Sequence, residues 1–290
     1  MGGYSKIAFR FFHRYSEFIS IFFPDLKLDL KKARIKTSAQ EFLCTTMLTT
    51  FIVFLAEVPL LSYIFGTVFK SFLFSFITAF TTSILLSILI FVLFTKYPKT
   101  IISTRSKKID NSLPFAALYL SSVAGTKLPL HKVLKIFAKF SKYNELTEEF
   151  NLINKDVDVF GFDLHTALER AVERTPSKVF RDFLWGLLST SASGGDVVIY
   201  LREKSDGLMQ DYRRKIAEFS KKLMLLSEIY LSVIILGAIF FVILTSIFSG
   251  MGSGTGGNII VLQALIIFIF VPLASLAFIL LIKTSTPGEE

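Results

Sequence analysis

The stretch from Asp196 to Phe248, DVVIYLREKSDGLMQDYRRKIAEFSKKLMLLSEIYLSVIILGAIFFVILTSIF, decides how the chain is read. Its first half is charged, and from Leu223 onward it is apolar for 26 residues. Leu201, Leu208, Tyr212, Ile216, Phe219 and Leu223 recur at helical steps, so one apolar stripe passes from the charged half into the apolar half without losing phase. This predicts a single rigid helix that starts in water at Asp196 and ends in lipid. Such a helix would carry motion of a soluble block into a membrane.

Working outward, crossing hydrocarbon takes about 20 predominantly apolar residues. Runs of that length lie at 42–63, 69–95, 223–248 and 259–282. The first two are joined by a short link around Gly66, the last two by the Gly/Ser-rich residues 249–258. Residues 1–41 carry 8 Lys/Arg against 4 Asp/Glu and residues 96–222 carry 22 against 15, whereas 42–95 hold only Glu57 and Lys70. The Lys/Arg excess places 1–41, 96–222 and the tail 284–290 in the cytoplasm. The expected organisation is an all-α polytopic membrane protein of the cell membrane. A cytoplasmic N-terminal arm (1–41) is followed by transmembrane hairpin 1 (42–95), a cytoplasmic six-helix bundle (96–222), hairpin 2 (223–283) and the tail: four transmembrane helices in two hairpins. Composition agrees: of 290 residues 52% are hydrophobic and 19% charged, below the ~25% charged of an ordinary soluble domain. A single cysteine, Cys44, excludes an intramolecular disulfide and a cysteine-based zinc module.

In the arm, Tyr4, Ile7, Ala8, Phe11, Phe12, Tyr15, Phe18, Ile19 and Phe22 line one helical face, with Lys6, Arg10, His13, Arg14 and Glu17 opposite. This predicts an amphipathic helix ending at Pro24 and lying on the inner membrane surface; docking on the protein's own soluble block is the alternative. Ser38 and Glu41 form a capping-box signature before the first span. Within 96–222 the punctuation predicts helices from Pro114 to Gly125, from Pro129 to Lys142 and from Asn144 to Gly161. Further helices run from Asp163 to Arg174, from a Thr175–Pro176 cap to Gly194–Gly195, and from Asp196 onward. Gly125, Gly161, Asp163, Gly194, Gly195 and Asp196 are the candidate structural and coupling residues, with Gly194 to Asp196 setting the angle at which the last helix leaves the bundle.

Chemistry-bearing motifs are missing. There is no GxxxxGK[ST] loop, no GxGxxG after a strand, no HExxH and no Gly-x-Ser-x-Gly elbow. His13, His131 and His165 stand singly, and Cys44 at the start of a span suits packing. The reading is of a non-enzyme with no cofactor and no metal. Among polar groups in or near lipid, Glu57 and Lys70 either pair and lock the first hairpin or separately reach headgroup water; Glu228 either faces a partner helix or reaches the interface. The clusters Arg105-Lys107-Lys108, Arg213-Arg214-Lys215 and Lys221-Lys222 suit lipid headgroups, and nucleic acid is not an expected partner.

The run Leu113-Pro114, Ala124-Gly125, Leu128-Pro129-Leu130, then Gly161-Phe162-Asp163-Leu164, Thr175-Pro176-Ser177, Phe183-Leu184, Gly186-Leu187 and Ser193-Gly194-Gly195-Asp196 with Tyr200-Leu201 resembles the type II secretion system F-domain family. These are the platform proteins of type IV pilus, archaellum, Tad and type II secretion machines, and the phrasing around Thr175 to Leu201 looks most like archaeal members. The resemblance implies a cytoplasmic bundle that docks a hexameric secretion ATPase and spans through which pilin-like subunits enter a filament base. Many members carry two such domains, and this chain carries one, so self-association or a sister F-domain chain is implied. The competing class is a small polytopic transporter or channel subunit, which would expect broken or charged helices at mid-membrane depth. A membrane-bound lipid enzyme would need a convergent polar cluster that Asp110, Asp156, Asp158 and Asp163 do not form in sequence.

Overall fold

The computed structural model describes residues 3–69, 71–126, 128–141, 143–251, 268–269, 272–273 and 275–283, and among them the regular structure is entirely helical. In chain order these are α1 (Gly3–Ser20), α2 (Leu26–Lys32), α3 (Ala39–Phe69), α4 (Phe72–Ala124), α5 (Leu130–Phe140), α6 (Asn144–Asp158), α7 (Leu164–Arg174), α8 (Lys178–Ala192) and α9 (Val197–Met251). Residues 275–283 are also helical. Three of the helices, α3, α4 and α9, are long and apolar enough to cross a membrane. The fourth expected span, 259–282, lies largely outside the described residues, as does Lys70.

Two expectations about helix boundaries are corrected. No separate helix opens at Pro114: α4 runs unbroken from the second span to Ala124, with Pro98 and Pro114 inside it. A proline in a helix interior costs about 3 kcal/mol, yet Ile109, Leu113, Ala116, Ala117, Leu120 and Ala124 keep one buried face in phase through the break, and packing of that face outweighs the loss. The second correction concerns the arm. Chain beyond Pro24 forms α2, which was not expected, because Leu26 and Leu30 bury against Leu43 with Ile19, Phe23, Ile35, Ala39 and Phe42 around them.

The chain divides into two compact units, Met1–Leu113 with Ser122–Tyr200, and Pro114–Ser121 with Leu201–Glu290. In the first, α1 packs along α3: Ala8 and Ser16 are fully buried, the Tyr4 and Thr49 hydroxyls are 2.9 Å apart, and the Phe12 and Phe51 rings are in contact. The arm's helix therefore rests on the first span and not on the charged block; Ile7, Phe11, Tyr15 and Phe18 stay exposed on it. The Ser38 hydroxyl accepts the Glu41 N–H at 3.1 Å, so the expected cap opens α3. On α4, Ser75, Ala79, Ser83 and Ser87 are buried at four-residue steps, a small-residue stripe that lets two membrane helices approach. The Ser75 hydroxyl reaches the Phe65 carbonyl of α3 at 3.1 Å.

The core of α5 to α8 is aromatic. Phe137 meets Phe150 edge-on with centroids 4.7 Å apart, Phe150 meets Phe180 at 5.5 Å, and Phe180 stacks toward Phe183. All four are fully buried, with Val133, Leu134, Leu146, Ile153, Leu168, Leu184 and Leu187 around them. Tyr200 closes this core: its hydroxyl donates to the Phe183 carbonyl at 2.7 Å. Gly186 lies against the ring, where a Cβ would overlap Tyr200. In the second unit, Ala116, Ala117, Leu120, Leu201 and Leu208 are buried, and Phe115 meets Tyr212 at 5.1 Å.

Alanine ordinarily improves a helix interior over glycine by about 1 kcal/mol. We expect Gly186→Ala to have the opposite sign, lowering the melting temperature of the detergent-purified chain, because the new methyl displaces Tyr200 and breaks its hydrogen bond. Gly186→Ala combined with Tyr200→Leu should recover the loss.

Candidate functional site

The junction of α8 and α9 is built from Gly194, Gly195 and Asp196, as expected. At the end of α8 the backbone turns left-handed at Gly194 (φ 71°). The Gly195 N–H returns to the Thr190 carbonyl at 2.9 Å and the Gly194 N–H to Ser191 at 3.4 Å, a Schellman closure that leaves no helix carbonyl for a further turn. A Cβ at Gly195 would sit 3.1 Å from the Thr190 methyl, which would have to give by a few tenths of an ångström, whereas at Gly194 it is the left-handed φ that favours glycine. The Asp196 carboxylate then accepts the N–H groups of Val198 at 2.8 Å and Ile199 at 3.2 Å, starting α9. From that cap, α9 continues to Met251 without interruption.

A matching pair sits between α6 and α7. Gly161 is left-handed (φ 69°), and Asp163 caps α7 by accepting the Thr166 N–H at 3.1 Å and the Thr166 hydroxyl at 2.6 Å. These bonds, the hydroxyl's first, hold the Asp163 carboxyl below its ordinary range. Its contribution to stability is therefore full above that range and fades as pH falls through the lowered value. Gly125 lies in the turn that follows α4. One expected cap moves: Thr175 ends α7, and Ser177 opens α8 by accepting the Phe180 N–H at 2.9 Å. The Ser177 hydroxyl also donates to the Asp110 carboxylate on α4, tying the start of α8 to that helix.

The structure adds a second site, a buried ionic node. Glu149 on α6 is 1% exposed. Its Oε1 accepts from Arg105 of α4 and from Arg34, both at 2.9 Å, and Arg174 of α7 stands 3.7 Å from its Oε2. Arg105 further donates to Glu145 at 2.9 Å and to the Lys32 carbonyl; Arg34 pairs with Glu148; Arg174 donates to Asp156 at 2.6 Å. Arg34 adopts φ 56°, a left-handed conformation costing roughly 1 kcal/mol for a residue with a Cβ, and its carboxylate partners hold it there. Arg105 was expected at lipid headgroups; the structure instead buries it among carboxylates. A sequence cannot separate a buried guanidinium from a solvated one. The available hint was Glu145, Glu148 and Glu149, which share one helix face.

The remaining candidates do not converge on either site. Glu57 on α3 has a buried Oε2 without a hydrogen-bond partner among the described residues. Its proposed partner Lys70 lies outside them. Glu228 is exposed on α9; its neighbour Tyr230 makes the contact, with Ser275 at 2.8 Å and the Phe278 ring at 4.4 Å. Cys44 is buried and free. Among the described residues no group of three or more His, Cys, Asp or Glu is placed to hold a metal ion.

Removing one partner of a buried ion pair strands the other, at about 3–5 kcal/mol, whereas an exposed pair contributes about 1 kcal/mol or less. Thermal unfolding should show a large loss for Glu149→Gln and for Arg105→Ala, and little change for Glu148→Gln, whose side chain is 62% exposed.

Comparison with known proteins places this geometry. The chain is 28% identical over 199 residues to an uncharacterised protein of Methanocaldococcus jannaschii, covering 67% of this chain and 33% of that one. It is 27% identical over 135 residues to Flagella accessory protein J of the same organism, covering 46% of this chain and 23% of the relative. The matches thus span a third or less of each relative's length. No solved structure matches. Residues 116–245 match the family described as Type II secretion system (T2SS), protein F, a stretch that begins within α4 and includes Gly125, both capped turns, Glu149, Arg174 and α9 to Thr245. The similarity to the type II secretion system protein F family thus covers residues 116–245, a little under half of the chain.

Proposed function

We propose that the chain is the membrane platform of a filament-assembly or secretion machine of the type IV pilus, archaellum or Tad kind. In this reading residues 96–222 face the cytoplasm and dock a hexameric secretion ATPase. The spans then receive the resulting motion and guide pilin-like subunits into a filament base. The arm and the tail lie on the same side as the block, in keeping with the Lys/Arg excess. A complete platform is assembled by self-association or with a sister F-domain chain.

The observation that carries the proposal is α9. One helix runs from the capped junction at Asp196 through a stretch of membrane-crossing length, so a rotation imposed at its first turn is delivered to its lipid end with no joint between. A second support is the similarity of residues 116–245 to the type II secretion system protein F family and of the chain to Flagella accessory protein J. Catalysis of its own is not part of the proposed role.

The competing transporter reading has one observation in its favour, the buried carboxylate oxygen of Glu57 within an apolar helix. Glu57→Gln distinguishes the two, since a platform should tolerate the loss of that charge and a transporter that used it should not.

In cells, affinity-tagged full-length chain should co-purify a P-loop secretion ATPase, and Gly194→Ala with Gly195→Ala should abolish filaments while the protein still accumulates in the membrane. The physical reason is that alanine cannot take the left-handed turn at 194 without strain, and at 195 it crowds the Thr190 methyl. Normal filaments in the double variant would overturn the coupling role; filaments unchanged in Glu57→Gln would remove the transporter alternative.

A further inference from the structure

We propose that the cleft enclosed by the end of α1, by α2 and by the start of α3 is a binding site for the phosphate headgroup of an anionic membrane lipid. The cleft has a volume of about 630 Å³ and is lined by Lys27, Lys31, Thr37 and Ser38 together with apolar residues that include Phe23 and Ile35. No carboxylate lines it. Neither lysine takes part in an ion pair among the described residues, in contrast to the neighbouring cleft beside Arg34, where Glu145 and Glu148 answer the cations. Of the neighbouring acids, Asp25 and Asp29 line a different cleft that also holds Lys96 and Lys99, Asp29 standing 3.9 Å from Lys99, and Glu41 is 7% exposed.

Two lysines without an ion pair, two hydroxyl side chains and apolar residues lining one cleft match an amphiphile whose charged end is a phosphate. Depth in the chain points the same way. Ser38 precedes the apolar run that opens at Phe42 by four residues, so the cleft lies where headgroups lie when α3 spans. Phe18, Ile21 and Phe22 are exposed at the end of α1 beside it, the placing of aromatic and apolar side chains that interfacial segments use. A free phosphate would leave the apolar lining residues unused, and for that reason the lipid is the occupant. The inference depends on α3 lying in a membrane and not on any ATPase or filament.

The test uses the full chain purified in detergent, with thermal unfolding followed as short-chain phosphatidylglycerol, short-chain phosphatidylcholine or inorganic phosphate is added. Phosphatidylglycerol should raise the melting temperature by a few degrees, phosphatidylcholine and phosphate should not, and the shift should vanish in Lys27→Gln with Lys31→Gln and persist in Lys27→Arg with Lys31→Arg. An equal shift with phosphatidylcholine, a full shift with phosphate alone, or a shift surviving in the glutamine variant would overturn the proposal. Should the glutamine variant lose stability by itself, photoreactive phosphatidylglycerol on the unaltered chain decides: adducts within residues 20–40 support the site, and adducts confined elsewhere refute it.

Discussion

A carboxylate held almost out of reach of water, with three guanidinium groups around it, constrains the first unit more than any other contact. Glu149 alone would be too costly to bury, and so would Arg105. Together, with Arg34 and Arg174 completing the shell, their opposite charges offset one another and tie segments that are far apart in sequence, while Glu149 Oε2 and Arg174 Nε face each other without a hydrogen bond. Lys32 and Arg34 precede the first span, Arg105 follows the second, Glu149 belongs to α6 and Arg174 to α7. Apolar packing could hold these helices at many rotations, because phenylalanine and leucine contacts are non-directional. Guanidinium forks accept few geometries. The node therefore converts an aromatic core into one with a defined register, at the cost of a left-handed backbone at Arg34.

The sequence made some of this legible. Glycine and capping residues announced the links: Gly161 and Gly194 take left-handed turns, and the Asp163 and Asp196 carboxylates cap the helices that follow. The phase of Leu201 to Leu223 announced the continuity of α9. Proline misled. Pro114 reads as the start of a helix when taken locally, and only packing along both sides of it reveals that α4 passes through. Thr175 reads as the cap of α8 in sequence, whereas the folded chain uses Ser177, whose hydroxyl also reaches Asp110, sixty-seven residues away. The ionic node was illegible for a related reason: Arg105 sits in a run of cations beside a span, and nothing local marks it as the buried one. Long-range polar pairing has no period to read.

Rigid and pliant parts of the molecule are thus distributed in a way that suits transmission. The long helices α4 and α9 have no interior joint, and the tight links are fixed by glycine geometry and carboxylate caps, not by long loops. In the proposed platform role, motion would enter through the short helices and leave through α9. The cleft at the foot of α3 would meanwhile tether the arm to lipid. Each of these roles asks for a different physical property, and each lies on different residues.

Continuity of α9 is the claim on which the transmission account stands or falls. Spin labels at positions 204 and 240 of the chain in lipid nanodiscs give the direct measurement by pulsed electron paramagnetic resonance. A helix rising 1.5 Å per residue separates their backbones by about 54 Å, and the account predicts a narrow distribution near that distance. A broad distribution, or one centred below about 45 Å by the same arithmetic, would mean that the helix bends or breaks where it enters the membrane, and the account would be contradicted.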